Sequence, residues 1–115
     1  MEVQIFGIQK SSDTRKALRF FKERRVNVHF VDLKVRAASK GELTRFVQKF
    51  GVDAVLDRNS KRFQELGLGP ALYSDTRWLE IMADEPFLLR MPLVRQKHLL
   101  TVGLAEEEWK GWLAP

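Results

Sequence analysis

Residues 1–33 read MEVQIFGIQKSSDTRKALRFFKERRVNVHFVDL, and this stretch decides the fold. The run Val3–Gly7 is rich in apolar residues that alternate at its start, which predicts a short strand. The run Ser11–Thr14 supplies helix-capping side chains, and apolar residues follow it at helical spacing, which predicts a helix. Val26–Leu33 predicts a second strand. A strand, a helix and a strand in this order demand a parallel pair with a crossover helix between them.

Further along the chain, the pattern changes from mixed to helical and then back to strands. Ser39-Lys40-Gly41-Glu42 fits a capping box, and the amphipathic stripe behind it ends at Gly51. Shorter helices are predicted after it, at Val52–Leu56, at Lys61–Leu66 and from Ser74-Asp75-Thr76 to Pro86. A hairpin and a terminal helix are predicted last, at Pro92–Val94, Leu99–Val102 and Ala105–Leu113.

The element order is therefore β-α-β, a helical block, and β-β-α, which is the thioredoxin-like order with a central helical insertion. We predict an α/β fold with a four-stranded mixed sheet in a single domain over 1–115. The core of this domain is predicted at 1–36 and 86–115, and the helical insertion at 37–85. The predicted strands lie at 2–6, 27–33, 92–95 and 98–103, and the helices predicted to cover one face of the sheet lie at 12–24 and 105–113.

Four stretches follow, in order, the motifs of one known family. Phe6-Gly7-Ile8-Gln9-Lys10-Ser11 is similar to the pattern Tyr-Gly-Ile-Lys-Asn-Cys, and Ser11–Ala17 is similar to Cys-x-x-Cys-Arg-Lys-Ala. Arg58–Gly67 and Glu85–Val94 are similar to two later runs of the same family. Together these motifs cover nearly the whole chain, and they resemble the arsenate reductase (ArsC)/Spx family of thioredoxin-like proteins.

The sequence differs from the family pattern at the residues that carry the family's chemistry. The resemblance places the nucleophilic cysteine at Ser11 and the second cysteine of the Cys-x-x-Cys version at Thr14. Two arginines that hold the oxyanion in arsenate reductases fall at Met91 and Asp57. Because a serine hydroxyl forms no disulfide and needs an adjacent base to act as a nucleophile, the family's reductase mechanism is expected to be lost.

The resemblance also implies roles for several other residues. The opening of the first helix could still hold an anion through backbone amides, with Ser11, Ser12, Arg15 and Arg90 as the candidate anion-binding residues. For Ser11, a plain helix cap is the competing interpretation. Pro92 resembles the family's cis-proline, and Gly51 falls where Spx has the glycine that contacts the RNA polymerase alpha subunit. No metal ligands and no cofactor are predicted.

The amino-acid composition excludes several classes of function. The chain has 115 residues, no cysteine and a net charge of +5. The missing cysteines exclude disulfides, thiolate metal sites and thiol catalysis. The two histidines, expected in strands, are too few for a histidine-rich metal cluster; they are His29 and His98. We expect a cytoplasmic protein, because no signal peptide or long apolar run is visible.

The positive charge is concentrated in the first half of the chain. Residues 1–62 hold 15 Lys and Arg against 7 Asp and Glu, whereas residues 63–115 hold 5 against 8. A basic half of this kind suits an acidic protein, a nucleic acid or a small anion, or it is simply a set of solvated helix faces. Direct nucleic-acid binding is disfavoured, because no aromatic residues are interleaved with the basic ones.

The sequence is compatible with three functions. The first is a redox-inactive protein-binding or regulatory module, a monomer with a protein partner such as the RNA polymerase alpha subunit, as the resemblance to Spx implies. The second is an arsenate reductase-like oxidoreductase that uses glutathione without a cysteine of its own. The third is a weak anion-binding protein.

Overall fold

The computed structural model, which describes residues 1–115, contains one four-stranded mixed sheet. Its strands are β1 (Glu2–Gly7), β2 (Asn27–Asp32), β3 (Leu93–Gln96) and β4 (Leu99–Val102). The spatial order is β2-β1-β3-β4. β1 runs parallel to β2 and antiparallel to β3, and β3 is antiparallel to β4. The predicted four-stranded mixed sheet is confirmed, and so is the predicted order of elements along the chain, β-α-β and later β-β-α.

The chain divides into two units. The sheet unit comprises residues 1–32 and 91–115, and the helical unit comprises residues 33–90. The sheet unit carries the helices α1 (Ser12–Glu23) and α6 (Glu106–Leu113). The helical unit carries α2 (Lys40–Phe50), α3 (Val52–Val55), α4 (Lys61–Glu65), α5 (Asp75–Asp84) and a 3-10 turn at Pro86–Leu88. The single domain over 1–115 stays a prediction. No helix is long and apolar enough to cross a membrane.

The core of the sheet unit lies between the sheet and the helices α1 and α6. Its fully or nearly fully buried members are Val3, Ile5, Ala17, Phe20, Phe21, Val94 and Trp109. The Trp109 ring centroid lies 5.4 Å from that of Phe20 and 5.2 Å from that of Phe21. Its indole Nε1 donates a hydrogen bond of 2.8 Å to Thr101 Oγ1. Truncating a buried tryptophan of this kind costs about 3–5 kcal/mol.

Helix α1 ends in a Schellman motif with an unusual residue. The Val26 N–H donates to the Phe21 carbonyl and the Arg25 N–H donates to the Lys22 carbonyl, both at 3.0 Å. This motif places Arg25 in the left-handed region, with φ of 57°. Glycine is the usual residue there, because a side chain in this conformation costs about 1–2 kcal/mol. Arg25, at the end of α1, therefore adopts a backbone conformation that arginine disfavours.

The helical unit is organised by serine caps and a buried apolar stripe. Ser39 opens α2 with the predicted capping box, because its hydroxyl accepts from the Glu42 N–H and the Glu42 carboxylate accepts from the Ser39 N–H. Helix α2 packs against α5. The buried side chains of this unit include Leu43, Phe46, Val47, Val55, Leu56, Phe63, Trp78, Met82, Leu88 and Leu89.

The structure shifts the predicted hairpin by one residue. β3 begins at Leu93 instead of Pro92, because proline has no N–H to donate to a sheet ladder. β4 begins at Leu99, and the turn before it holds Lys97 and His98. The expectation that both histidines lie in strands is therefore wrong for His98 and correct for His29 in β2.

Candidate functional site

The opening of α1 is where the family resemblance places the chemistry. Ser11 is the N-cap of α1, with extended backbone angles. Its Oγ accepts a hydrogen bond of 3.2 Å from the Thr14 N–H, and its own N–H donates to the Ile8 carbonyl at 3.1 Å. The hydroxyl therefore satisfies one of the helix N–H groups that lack a partner within the helix. No carboxylate or imidazole is hydrogen-bonded to it.

Three other helices in the chain begin in the same way. Ser39, Ser60 and Ser74 cap α2, α4 and α5, and each hydroxyl accepts from the N–H three residues ahead at 3.1–3.2 Å. Ser11 shares this geometry with three serines to which the resemblance assigns no chemistry. Its local structure is that of a helix cap.

Arg15 and Ser12 lie on the first turn of α1. One guanidinium nitrogen of Arg15 donates to the Gln9 carbonyl at 2.7 Å, which ties the loop before the helix to its first turn. Ser12 is exposed and is the first helical residue. The structure therefore places Ser11, Ser12 and Arg15 within one loop and one helical turn. Arg15 uses part of its hydrogen-bonding capacity within this loop.

Thr14, to which the resemblance assigns the family's second cysteine, is buried against β1. The side chain is fully buried, and its Oγ1 has no hydrogen-bond partner. A Cβ added to Gly7 would collide with Thr14 Oγ1 and would lie 2.7 Å from Thr14 Cγ2. The threonine fills the space that a larger residue at position 7 would need. The sequence pattern gives no sign of this close approach, because it depends on how α1 packs on the strand.

The remaining candidate cation, Arg90, belongs to the helical unit. Its Nε donates to the Ala54 carbonyl at 3.0 Å, and its backbone N–H donates to the Val55 carbonyl at 2.8 Å. Asp57, to which the resemblance assigns a family arginine, accepts from the Asn59 N–H at 3.0 Å in a local turn. Both residues are therefore used in holding the loop segments of their own unit.

Arg58, next to Asp57, has contacts that its place in the sequence does not reveal. Its guanidinium donates to Asp53 at 2.9 Å and lies over the rings of Trp78 and Phe63, 5.3 Å and 5.8 Å from their centroids. No sequence signal joins these residues, because the ring contacts bring together separate segments of the helical unit. Arg58 is thus committed to its own unit by an ion pair and two cation–π contacts.

The predicted roles of Pro92 and Gly51 depend on their backbone conformations. The Met91–Pro92 peptide bond is cis, and the Pro92 carbonyl accepts from the Gly103 N–H at 2.8 Å. Gly51 follows α2 with φ of 85° and ψ of 161°, a conformation essentially restricted to glycine. No atom lies within 4 Å of a Cβ built there, and the neighbouring Phe50 ring is 37% exposed. Gly51 therefore sits at an open surface.

Metal-ligating groups do not gather anywhere in the structure. No group of three or more His, Asp or Glu side chains is placed to hold a metal ion. His29 is exposed on β2, and His98 is exposed in the hairpin turn.

A comparison with protein families matches residues 6–112 to the ArsC family. The chain belongs to this family. It is 28% identical over 115 residues to a global transcriptional regulator Spx 2 of Oceanobacillus iheyensis, covering 98% of this chain and 84% of the relative. It is 25% identical over 114 residues to the uncharacterized protein YusI of Bacillus subtilis, covering 96% of this chain and 97% of the relative.

A solved arsenate reductase from Vibrio cholerae has the same fold. The two structures superpose with a TM-score of 0.84 at 26% identity, over 98% of each chain. The thioredoxin-like α/β fold class and the resemblance to the ArsC/Spx family are confirmed. This chain has no cysteine and therefore no thiolate to attack an oxyanion, and Ser11, to which the resemblance assigns the nucleophile position, is hydrogen-bonded as a cap.

Proposed function

We propose that this chain is a redox-inactive ArsC-family protein that acts by binding a protein partner, with the RNA polymerase alpha subunit as that partner. The observation that carries the proposal is the state of the former nucleophile position. Ser11 caps α1 as three other serines cap their helices, and no base contacts its hydroxyl. A family member that keeps the fold but lacks the reactive thiol can still act by binding another protein through its surface.

The reductase alternative has less support from the same residues. Glutathione-dependent reduction would need a site that holds the oxyanion while an external thiol attacks it. The two expected arginine positions hold Met91 and Asp57, and neither provides a cation. A cation contact in a dry site is worth about 1.5–3 kcal/mol, so losing two weakens anion binding by roughly 10²- to 10⁴-fold.

The proposed contact surface lies at the end of α2. Gly51 is open to solvent, Phe50 is partly exposed, and Lys49 Nζ lies 5.3 Å from the centroid of the Phe50 ring. An apolar ring beside a cation and a bare stretch of backbone lets a partner approach closely. Gly51 falls where Spx has the glycine that contacts the alpha subunit, and this resemblance supports the choice of surface; two of the similar proteins are global transcriptional regulators Spx.

The test is binding of the purified alpha subunit to the immobilised chain at physiological salt. We expect Gly51→Arg to weaken binding at least 10-fold, because its side chain would occupy the open surface. Gly67→Arg is the matched control, since Gly67 also has a positive φ, 64°, and open space around it. Both variants should lose thermal stability, but the Gly67 variant should still bind.

Lys49→Glu tests the same surface without backbone strain, and it should weaken binding as well. No binding of the unaltered chain would exclude the alpha subunit as the partner. Equal losses for Gly51→Arg and Gly67→Arg, with none for Lys49→Glu, would place the contact elsewhere. Arsenate reduction through glutathione and glutaredoxin at a rate above that of Ser11→Ala would restore the enzyme alternative.

A further inference from the structure

An open groove of about 590 Å³ lies in the sheet unit at the C-terminal end of α1. Three cationic side chains line it, and they are Arg24, Arg25 and Lys110. Its apolar lining comes from Met1, Val26 and Leu113. We call this the α1 groove. It combines apolar surface with positive charge within one compact unit.

The cations of α1 and its C-terminal turn take part in no ion pair. These residues are Arg15, Lys16, Arg19, Lys22, Arg24 and Arg25. Among those in the groove, Arg24 lies 3.7 Å from the centroid of the Phe20 ring and donates to the Phe20 carbonyl, so it supports the helix end. Lys110 has an exposed partner, since its Nζ lies 3.2 Å from Glu107. Arg25 makes no side-chain hydrogen bond or ion pair.

The backbone conformation at position 25 favours glycine, so the presence of an arginine with an unpaired guanidinium needs another explanation. Position 25 has a φ of 57°, and a glycine there would satisfy the same Schellman hydrogen bonds without strain. A positive charge near a helix C-terminus is favourable, but Lys22 and Arg24 already provide it. Strain of this kind clusters at functional sites. The local backbone gives no reason for an arginine instead of a glycine at this position.

We propose that the α1 groove binds an acidic segment of a partner protein. An apolar side chain of that segment would lie on Val26 and Leu113, and flanking carboxylates would pair with Arg25 and Lys110. A protein segment fits better than a nucleic acid because no aromatic residue lines the groove for a base to stack on. The Phe20 ring beneath Arg24 is only 5% exposed. This surface is in the sheet unit and does not depend on the surface around Gly51.

The test uses a short labelled peptide with four glutamates around a central Leu-Phe pair, titrated into the full chain at 50 mM salt. Backbone amide shifts should change at residues 24–26 and 110–114, and affinity should fall steeply with added salt. The same peptide with glutamine for glutamate should bind at least 10-fold more weakly. A single-stranded DNA of matched charge should bind no better than the acidic peptide.

Arg25→Gly separates binding from folding. We expect the peptide affinity to fall at least 5-fold while Tm rises by about 2–6 °C, because the strained conformation is relieved. Arg25→Asn, which also tolerates this backbone conformation, should lose affinity to a similar degree. Arg19→Gln, on α1 outside the groove, is the matched control and should change affinity less than 2-fold.

Three results would overturn the proposal. The first is no amide shift at 24–26 and 110–114 with 2 mM peptide. The second is unchanged peptide affinity in Arg25→Gly. The third is DNA binding that exceeds peptide binding and is lost in Arg25→Gly, which would make the groove a nucleic-acid surface.

Discussion

The sheet unit and the helical unit carry similar net charges but arrange them differently. The sheet unit holds 10 Lys and Arg against 7 Asp and Glu, and the helical unit holds 10 against 8. In the helical unit four arginines, Arg36, Arg58, Arg62 and Arg77, lie within 3.3 Å of a carboxylate. In the sheet unit, the six cations of α1 and its turn are in no ion pair.

This difference separates charges that hold a structure from charges that face outward. Arg62 pairs with Glu85 at 2.9 Å, 23 residues away in sequence, and it joins α4 to the end of α5. The Glu85 carboxyl has a pKa below its ordinary value because of the Arg62 hydrogen bonds. The α1 cations have no carboxylate partner, and only Arg15 and Arg24 among them donate side-chain hydrogen bonds, each to a backbone carbonyl. The comparison predicts that charge changes will alter stability in the helical unit and binding in the sheet unit.

Gly7 in the sheet unit and Gly51 in the helical unit are required for different reasons. Replacing Gly7 gives the largest loss of stability that we expect. Gly7→Ala should destabilise the chain by about 1–3 kcal/mol, because the new Cβ meets the buried Thr14 side chain. Thr14→Ala removes the atoms in the way, so the double variant should recover most of that loss. Urea unfolding of the two single variants and the double variant measures the coupling.

Gly51→Ala is the contrasting variant in the helical unit. It should destabilise through its positive φ alone, since no atom stands within 4 Å of the added Cβ. Thr14→Ala should therefore leave its cost unchanged. Additive effects of Gly7→Ala and Thr14→Ala would show that the close approach does not limit residue 7.

The second prediction concerns acid stability and the helical unit. Glu42 has its pKa lowered from 4.5 to about 2, first by the Arg36 hydrogen bonds at 3.0 and 3.1 Å and further by the Ser39 N–H, against the opposing effect of burial. Because the folded pKa is lower, the stabilisation is complete above about pH 4.5 and is lost as the pH falls towards 2. Since Arg36 is half exposed, we expect about 1–2 kcal/mol.

Glu42→Gln is the variant that isolates this contribution. Its stability deficit should be full at pH 6 and should shrink between pH 4.5 and pH 3, as measured by urea unfolding at each pH. Glu80→Gln removes an exposed ion pair with Arg77 and should cost less than about 0.5 kcal/mol at pH 6. A deficit in Glu42→Gln that is independent of pH would mean that the carboxylate charge contributes nothing.

The third prediction compares the Ser11 cap with the Ser60 cap, to which the resemblance assigns no chemistry. Ser11→Ala should cost about 1 kcal/mol, and Ser60→Ala should cost a similar amount, since each removes one cap hydrogen bond of 3.1–3.2 Å. Ser11→Asn should restore most of the loss, because asparagine is as good a cap. Thermal and urea unfolding give these values. A loss at Ser11 that asparagine cannot restore would show that the hydroxyl does more than cap the helix.

Most of the fold was predictable because its determinants are local. The Ser39–Glu42 box and the Ser11 cap join residues three positions apart, and the apolar periodicity of α1 and α2 marks their buried faces. The Arg58 ring contacts and the approach of Thr14 to Gly7 join separate elements, so periodicity does not reveal them. Arg25 lies between these cases, since a helix that ends without glycine or asparagine is visible in the sequence, whereas the groove beside it is not.

The last prediction sets one arginine from each unit against the other. Arg58→Gln should destabilise by about 1 kcal/mol, because it removes the Asp53 ion pair and the packing of the guanidinium on Trp78 and Phe63. Arg19→Gln should change stability by less than about 0.5 kcal/mol. At low salt it should stabilise slightly, since Arg15, Lys16 and Lys22 lie three or four residues away and only Glu23 opposes them.

Urea unfolding of both variants at 20 mM and 500 mM salt distinguishes the two roles. High salt should remove the small gain in Arg19→Gln by screening the neighbouring cations. The deficit of Arg58→Gln should stay largely in place, because salt does not restore the packing of a guanidinium on the two rings. If Arg19→Gln were as destabilising as Arg58→Gln, the α1 cations would be structural after all. The positive face of α1 would then need no partner to explain it.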